Sequence, residues 1–173
     1  MNLPKIWPMP EEARLVVVNT TPIIALSLIG ELDLLRRLYG QVLAPPSVEA
    51  EVRAGGRGRS GRSELQEASW LRIVSLQDPR RADLLADLDR GEAEVIALAQ
   101  ELNADLVVID ERLARLHAKR LGLTLTGTLG VLLKAKQLGH VQAVAPLIDR
   151  LRQGGIHLSD VVVAEVLALA DER

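Results

Sequence analysis

Asp110 follows the apolar run Leu106-Val107-Val108-Ile109, and Asn19 follows a second, Leu15-Val16-Val17-Val18. Between them in the chain, Glu92 opens the apolar helical pattern Gly91-Glu92-Ala93-Glu94-Val95-Ile96-Ala97-Leu98-Ala99. Side-chain oxygens of this kind hold a hard divalent cation, and carboxylates packed together repel one another until the cation arrives. Such a cation lowers the pKa of a bound water and stabilises charge on a phosphate. Asn19 is the anomaly, because its amide oxygen can bind a cation but brings no negative charge. Each residue also has an ordinary role open to it. Asp110 suits the N-cap of a helix starting near Glu111, and Glu92 suits the positive end of its own helix dipole. Asn19 can cap or turn the chain, and Glu51 alone reads as a surface acid. Glu94 is expected to point away and be solvated. Thr20, Thr126 and Thr128, at strand ends, could bond a phosphate or a metal-bound water, or satisfy local backbone groups.

These residues need elements to bring them together. The two short β-branched runs, each followed at once by a helical pattern, read as buried parallel strands. In an open α/β sheet, ligands collect at the carboxyl ends of such strands, where neighbouring connections diverge. The first strand is expected over 15–18, with Thr21 as N-cap and Pro22 at the first helical position of a helix ending at Gly30. A helix over 31–38, a strand over 41–44 and a helix begun by Pro45-Pro46-Ser47 follow. Gly55 to Gly61 reads as an irregular loop, with a helix near 64–68 beyond it. A third strand is expected over 71–76, helices over 81–89 and 92–102, a fourth strand over 106–109, a basic helix over 111–121 and a fifth strand over 123–125. Helices near 128–138, 142–153 and 159–171 complete the chain. Strands alternating with helices imply a parallel sheet with helices on both faces. The small alanines after Glu92 would let its helix lie close to the sheet, near Asp110.

At 173 residues with 48% hydrophobic content, the chain can bury a real core, read as one domain over 15–173 behind an arm over 1–14. With no Phe, one Tyr and two Trp, packing must rest on Leu, Val, Ile and Ala. The absence of Cys excludes disulfides and thiolate zinc sites and fits a cytoplasmic location. No apolar stretch approaches the roughly 20 residues that span a bilayer, so no membrane partner is expected. A formal net charge of −2 means that a polyanion would need a local basic patch. Arg53, Arg57, Arg59 and Arg62 supply one around the glycine-rich loop, and Arg112, Arg115, Lys119 and Arg120 supply another on the 111–121 helix. No phosphate-binding glycine loop, dinucleotide fingerprint or serine elbow is present, and His117, His140 and His157 lack zinc-ligand spacing.

The stretches VNTTPIIALSLIGELDLLRRLYGQVLAPPSVEAEV and LDRGEAEVIALAQELNADLVVIDERLARLHAKRLGLTLTGTLGVLLKAKQLG, with their Gly-Glu-Ala-Glu-x-Ile-Ala-Leu-Ala, Ile-Asp-Glu-Arg and Thr-Gly-Thr-Leu-Gly runs, resemble the PIN-domain nucleases. They are most similar to a prokaryotic PIN-like subfamily of unassigned function related to toxin ribonucleases. The resemblance implies a three-layer α/β fold, a five-stranded parallel sheet in order 3-2-1-4-5 with a core over 15–140 and a helical extension over 141–173. It implies an acidic cluster that binds one or two Mg²⁺ or Mn²⁺ ions and hydrolyses phosphodiesters, usually in RNA. Carried over by motif, the catalytic and metal-binding set is Asn19, Glu51, Glu92 and Asp110, supported by Thr20, Glu111 and Thr128. RNA would be the substrate, an antitoxin protein the partner of a toxin of this kind, and a homodimer the expected assembly. The family pattern has Asp where this chain has Asn19, so metal binding is expected to weaken by a decade or more. The same departure supports the alternative of a catalytically silent PIN-fold module that binds RNA or protein. A phosphatase would want an Asp nucleophile at the end of the first strand, and Asn19 cannot serve.

Overall fold

The computed structural model describes residues 14–55 and 60–172. The expected arm, apart from Arg14, and Arg57 and Arg59 of the glycine-rich loop lie outside the described residues. The first half of the chain forms β1 (Arg14–Val18), α1 (Thr20–Leu28), α2 (Leu34–Tyr39), β2 (Gly40–Ala44), α3 (Pro46–Ala54), α4 (Arg62–Glu67) and β3 (Leu71–Ile73). The second half forms α5 (Arg80–Asp83), α6 (Arg90–Glu101), β4 (Leu106–Val108), α7 (Arg112–Arg120), β5 (Leu125–Thr126), α8 (Thr128–Gln137), α9 (Ala145–Gln153) and α10 (Asp160–Leu169).

The strands make one parallel sheet in the order β3-β2-β1-β4-β5, as the resemblance implies. β1 is central, between β2 and β4. Val16, Val17 and Val18 are fully buried, as are Val107 and Val108 beside them. A strand covered on both faces needs this composition. The chain leaves β1 toward β2 and returns at β4, so β1 and β4 flank the switch point where their carboxyl ends open outward. Val18 pairs with Val108, and the Asn19 N–H extends the ladder by donating to the Val108 carbonyl at 3.0 Å. The backbone therefore fixes the residues after both strands relative to each other.

Helices surround the sheet. α6 packs on β1 and β4, α2 on β1 and β2, α3 on α1 and α6, and α8 on α1, α2 and α10. Ala93, Ala97 and Ala99 on α6 are buried with Val95, Ile96 and Leu98, so this small-residue helix does lie close against the strands. The C-terminal helices are tied down by Glu172. Its carboxylate accepts from Lys136 Nζ at 2.6 Å and from the Val144 and Ala145 N–H groups at 2.7 and 2.8 Å. The lysine bond above all draws the Glu172 carboxyl down to about 2. Among the described residues, no helix is long and apolar enough to cross a membrane.

Several expected boundaries shift for physical reasons. β3 ends at Ile73 rather than near 76, because its neighbour β2 ends at Ala44, opposite Ile73. The helix expected over 81–89 is one turn, and Asp89 belongs to the next element as the N-cap of α6. The helix expected from residue 31 begins at Leu34, and β5 is only two residues long.

Candidate active site

Asn19 sits at the cap position of α1, 3% exposed, with extended backbone. The helix starts at Thr20, two residues before the start at Pro22 that a Thr21 cap would give. No side-chain cap bond forms at Asn19, because its amide is engaged elsewhere. Asn19 Nδ2 donates to Glu111 Oε2 at 3.0 Å, and the Thr21 hydroxyl donates to Glu111 Oε1. An ionised carboxylate only accepts, so Asn19 must present its nitrogen to Glu111. Its Oδ1 is then left buried without a hydrogen-bond partner. A buried acceptor in that state costs about 1–3 kcal/mol, so the site wants a donor or a cation there.

Asp110 does not cap α7. Glu111 stands at that cap position, and Asp110 reaches instead to the start of α8. Its Oδ1 accepts from the Thr128 N–H at 2.8 Å and its Oδ2 from the Thr128 hydroxyl at 2.6 Å. The carboxylate satisfies an N–H that a helix start leaves unpaired. Gly127 makes the approach possible, since a Cβ there would stand 2.5 Å from Asp110 Oδ1 and 3.3 Å from an Arg115 nitrogen. The Gly127 φ of −123° suits any residue, so space alone is the constraint. Gly127→Ala is expected to cost about 1–3 kcal/mol by overpacking and to displace Asp110, and thermal melting together with a crystal structure would check both effects.

Glu51 on α3 accepts from the Thr20 hydroxyl at 2.6 Å and lies against the first turn of α6. Its Oε1 would be 2.5 Å from a Cβ on Gly91, so glycine is again the residue that admits a carboxylate. Glu92 and Asp89 form a reciprocal capping box. The Glu92 N–H donates to Asp89 Oδ1 at 2.8 Å, and Glu92 Oε2 accepts from the Asp89 N–H at 3.2 Å. Burial, then the carboxylates of Asp89, Glu111 and Glu51, push Glu92 up to about 7 against the opposing pull of the Asp89 N–H. Burial also raises Glu51, with Asp89, Glu111 and Glu94 adding to it and the Thr20 hydroxyl opposing. Asp110 is raised by burial too, against its two bonds from Thr128.

The raised Glu92 makes a prediction with a definite sign. Its ordinary value is 4.5 and its folded value about 7, so the folded protein holds a proton that the unfolded chain has released. That contribution to stability is complete below the unfolded value and is lost as pH rises through about 7. In metal-free buffer, melting temperature is expected to fall between about pH 5 and about pH 8, and Glu92→Gln should flatten the slope. An unchanged slope in the variant would assign the effect to other groups.

Among the described residues, no three His, Cys, Asp or Glu side chains stand together as an ion cage. The reason is visible in the hydrogen bonds. Thr20 holds Glu51, Thr128 holds Asp110, Asn19 and Thr21 hold Glu111, and Asp89 holds Glu92. The donor set nonetheless suits a hard cation, for it is all oxygen, carries carboxyls raised by burial and by neighbouring acids, and includes the orphaned Asn19 Oδ1.

The sequence model of the PIN-domain family matches residues 15–172. The chain belongs to that family. No curated protein matches it. The PIN domain has a nuclease-like fold.

The basic residues expected to meet RNA are less uniform in this PIN domain. Arg53 pairs with Glu49 at 2.8 Å, and Arg62 donates to the Arg53 carbonyl. Arg112 is exposed, whereas Arg115 donates to the Ile109 carbonyl at 2.8 Å, behind Asp110. Glu94 corrects an expectation, being 8% exposed and paired with Arg90 at 2.8 Å. Asp89, Gly91 and Gly127 also shape the site and were not singled out by sequence, and Thr21, expected only as a cap, instead holds Glu111. Only Asp89 carried a usable signal, because Asp-x-x-Glu before an apolar run is a capping-box pattern.

Proposed function

We propose that this PIN domain is a metal-dependent endoribonuclease whose cation affinity is lowered by Asn19. The observation that carries this reading is Asn19 Oδ1, buried and unpartnered at the carboxyl end of β1, with Glu92 raised to about 7 by burial and by the Asp89, Glu111 and Glu51 carboxylates. Glu51, Glu92, Asp110 and Asn19 Oδ1 would hold Mg²⁺ or Mn²⁺, with Glu111 beside them. The cation, when bound, activates water and offsets charge on the phosphate. Thr128 orients Asp110, and Thr20 orients Glu51. Asn19 and Thr21 fix Glu111, keeping its charge directed at the site. Arg53, Arg57, Arg59, Arg62 and Arg112 would attract the RNA backbone. On this reading the protein is a toxin-type ribonuclease of the cytoplasm, held by an antitoxin and acting as a homodimer.

A second reading has its own support. The amide at position 19 and the absence of an assembled ion cage among the described residues favour a silent PIN fold that binds RNA or protein. Incubating wild type, Asn19→Asp and Asp110→Asn with a mixed single-stranded RNA pool in Mn²⁺ separates the two. Cleavage by wild type that disappears in Asp110→Asn supports the nuclease. Cleavage by Asn19→Asp alone marks a scaffold disabled by one missing charge, and silence from all three supports the binding module.

A further inference from the structure

Beside Glu51 lies a cleft of about 590 Å³ that none of the proposed chemistry uses. Pro46 and Ala50 of α3 and Leu76 and Pro79 of the segment before α5 give it apolar walls. Arg90 and Glu94, one helical turn apart on α6, supply charge, with Arg90 Nε 2.8 Å from Glu94 Oε1. Ser47 also lines it, and its hydroxyl oxygen is buried without a hydrogen-bond partner. Glu94 is nearly buried although it caps no helix and contacts none of the four proposed ligands through a hydrogen bond among the described residues.

We infer that this cleft is a nucleobase subsite for the RNA strand, and that the Arg90–Glu94 pair selects guanine. This rests on the ribonuclease reading above and deepens it by naming what the site would recognise next to the scissile phosphate. Single-stranded RNA is read by packing a splayed base on a flat or apolar surface and bonding its Watson–Crick edge. This chain has no Phe and three Trp and Tyr residues in all, and among the described residues neither Tyr39 nor Trp70 lines the cleft. The two prolines and Leu76 therefore supply the faces on which a base would pack.

The edge chemistry then decides among the bases. A carboxylate accepts only, and a guanidinium donates only. Guanine alone offers two adjacent donors, N1–H and the exocyclic amine, next to an acceptor, O6. Those groups match an acceptor and a donor held side by side, as Glu94 and Arg90 are. Cytosine and adenine each offer one amine beside an acceptor, and uracil offers a single donor between two acceptors. A well-made bidentate contact discriminates by about 1–3 kcal/mol, roughly tenfold or more in affinity.

Isothermal titration of the full chain with GMP, AMP, CMP and UMP in chelator tests this without any need for cleavage. GMP is expected to bind about tenfold or more tightly than CMP and UMP, and Glu94→Gln should abolish the preference. Arg90→Ala, at an exposed position, should weaken it while leaving the melting temperature near that of wild type, which guards against a Glu94 variant that fails to fold. Equal affinity for the four nucleotides, no binding of any, or a preference untouched by both variants would overturn the inference. A guanine preference in a protein that cleaves no RNA would uphold the subsite and count against the nuclease. RNA cleavage with no guanine bias, and no GMP preference, would do the reverse.

Discussion

Asn19→Asp is expected to raise Mn²⁺ affinity by about a decade or more while lowering the melting temperature of the metal-free protein. The two effects share one cause. Asn19 Nδ2 stands 3.0 Å from Glu111 Oε2 and donates to it. Replacing that donor with a carboxylate oxygen sets two like charges at the same separation, a gross repulsion of about 5 kcal/mol at an effective dielectric of 20. Protonation of one acid relieves part of this near neutrality, leaving a net cost of about 2–3 kcal/mol. For a chain of this length that corresponds to a fall of about 5–10 °C. A divalent cation between the two carboxylates turns the repulsion into attraction, so the variant should gain more stability from Mn²⁺ than wild type does. Melting curves in chelator and across a Mn²⁺ titration would show the curves crossing. Equal affinities in the two proteins would mean that position 19 does not touch the ion.

Asp110→Asn should leave the fold almost intact and reduce RNA cleavage by about a hundredfold or more. The substitution is nearly isosteric, and its hydrogen bonds survive. The Asn oxygen can accept from the Thr128 N–H in place of Asp110 Oδ1, and the new amide can donate to the Thr128 hydroxyl, which reverses its role. What disappears is the charge, at a position where burial and Glu111 already press the carboxyl upward. A change in melting temperature of no more than about 2 °C beside a large loss of cleavage would assign Asp110 to the chemistry. A comparable loss in both would make it a structural cap of α8. Full activity in the variant would remove Asp110 from the site.

The fold was legible because its signals are local. β-branched runs ended by polar residues marked β1 and β4, and the family-like motifs supplied the strand order. The partners of the acids were harder to see. Asn19 and Glu111 are 92 residues apart, and their bond depends on Val18 pairing with Val108, a register that no local pattern encodes. Glu94 was expected in solvent because it lies about 200° around the helix from Glu92. That side of α6 faces the cleft beside α3, where Arg90, one turn earlier on the same helix, pairs with Glu94 at 2.8 Å. Asp110 was expected to cap the next helix, as an acid after a strand usually does. Here the cap went to a helix 18 residues on, because β5 pairs with β4 and delivers Thr128 beside it.

The fully buried valines of β1 and β4 give the molecule its own internal reporters. Val18 and Val108 pair with each other directly behind Asn19 and the Ile109-Asp110 turn, and neither touches solvent. Tyr39 and Trp70 are the only Tyr or Trp among the described residues, and the chain has no Phe, so ring currents will spread their methyl resonances little. Any displacement of those signals would come mainly from changes in charge and packing at the strand ends. Selective methyl labelling of this protein would therefore register an ion or a phosphate arriving at the site from within the sheet.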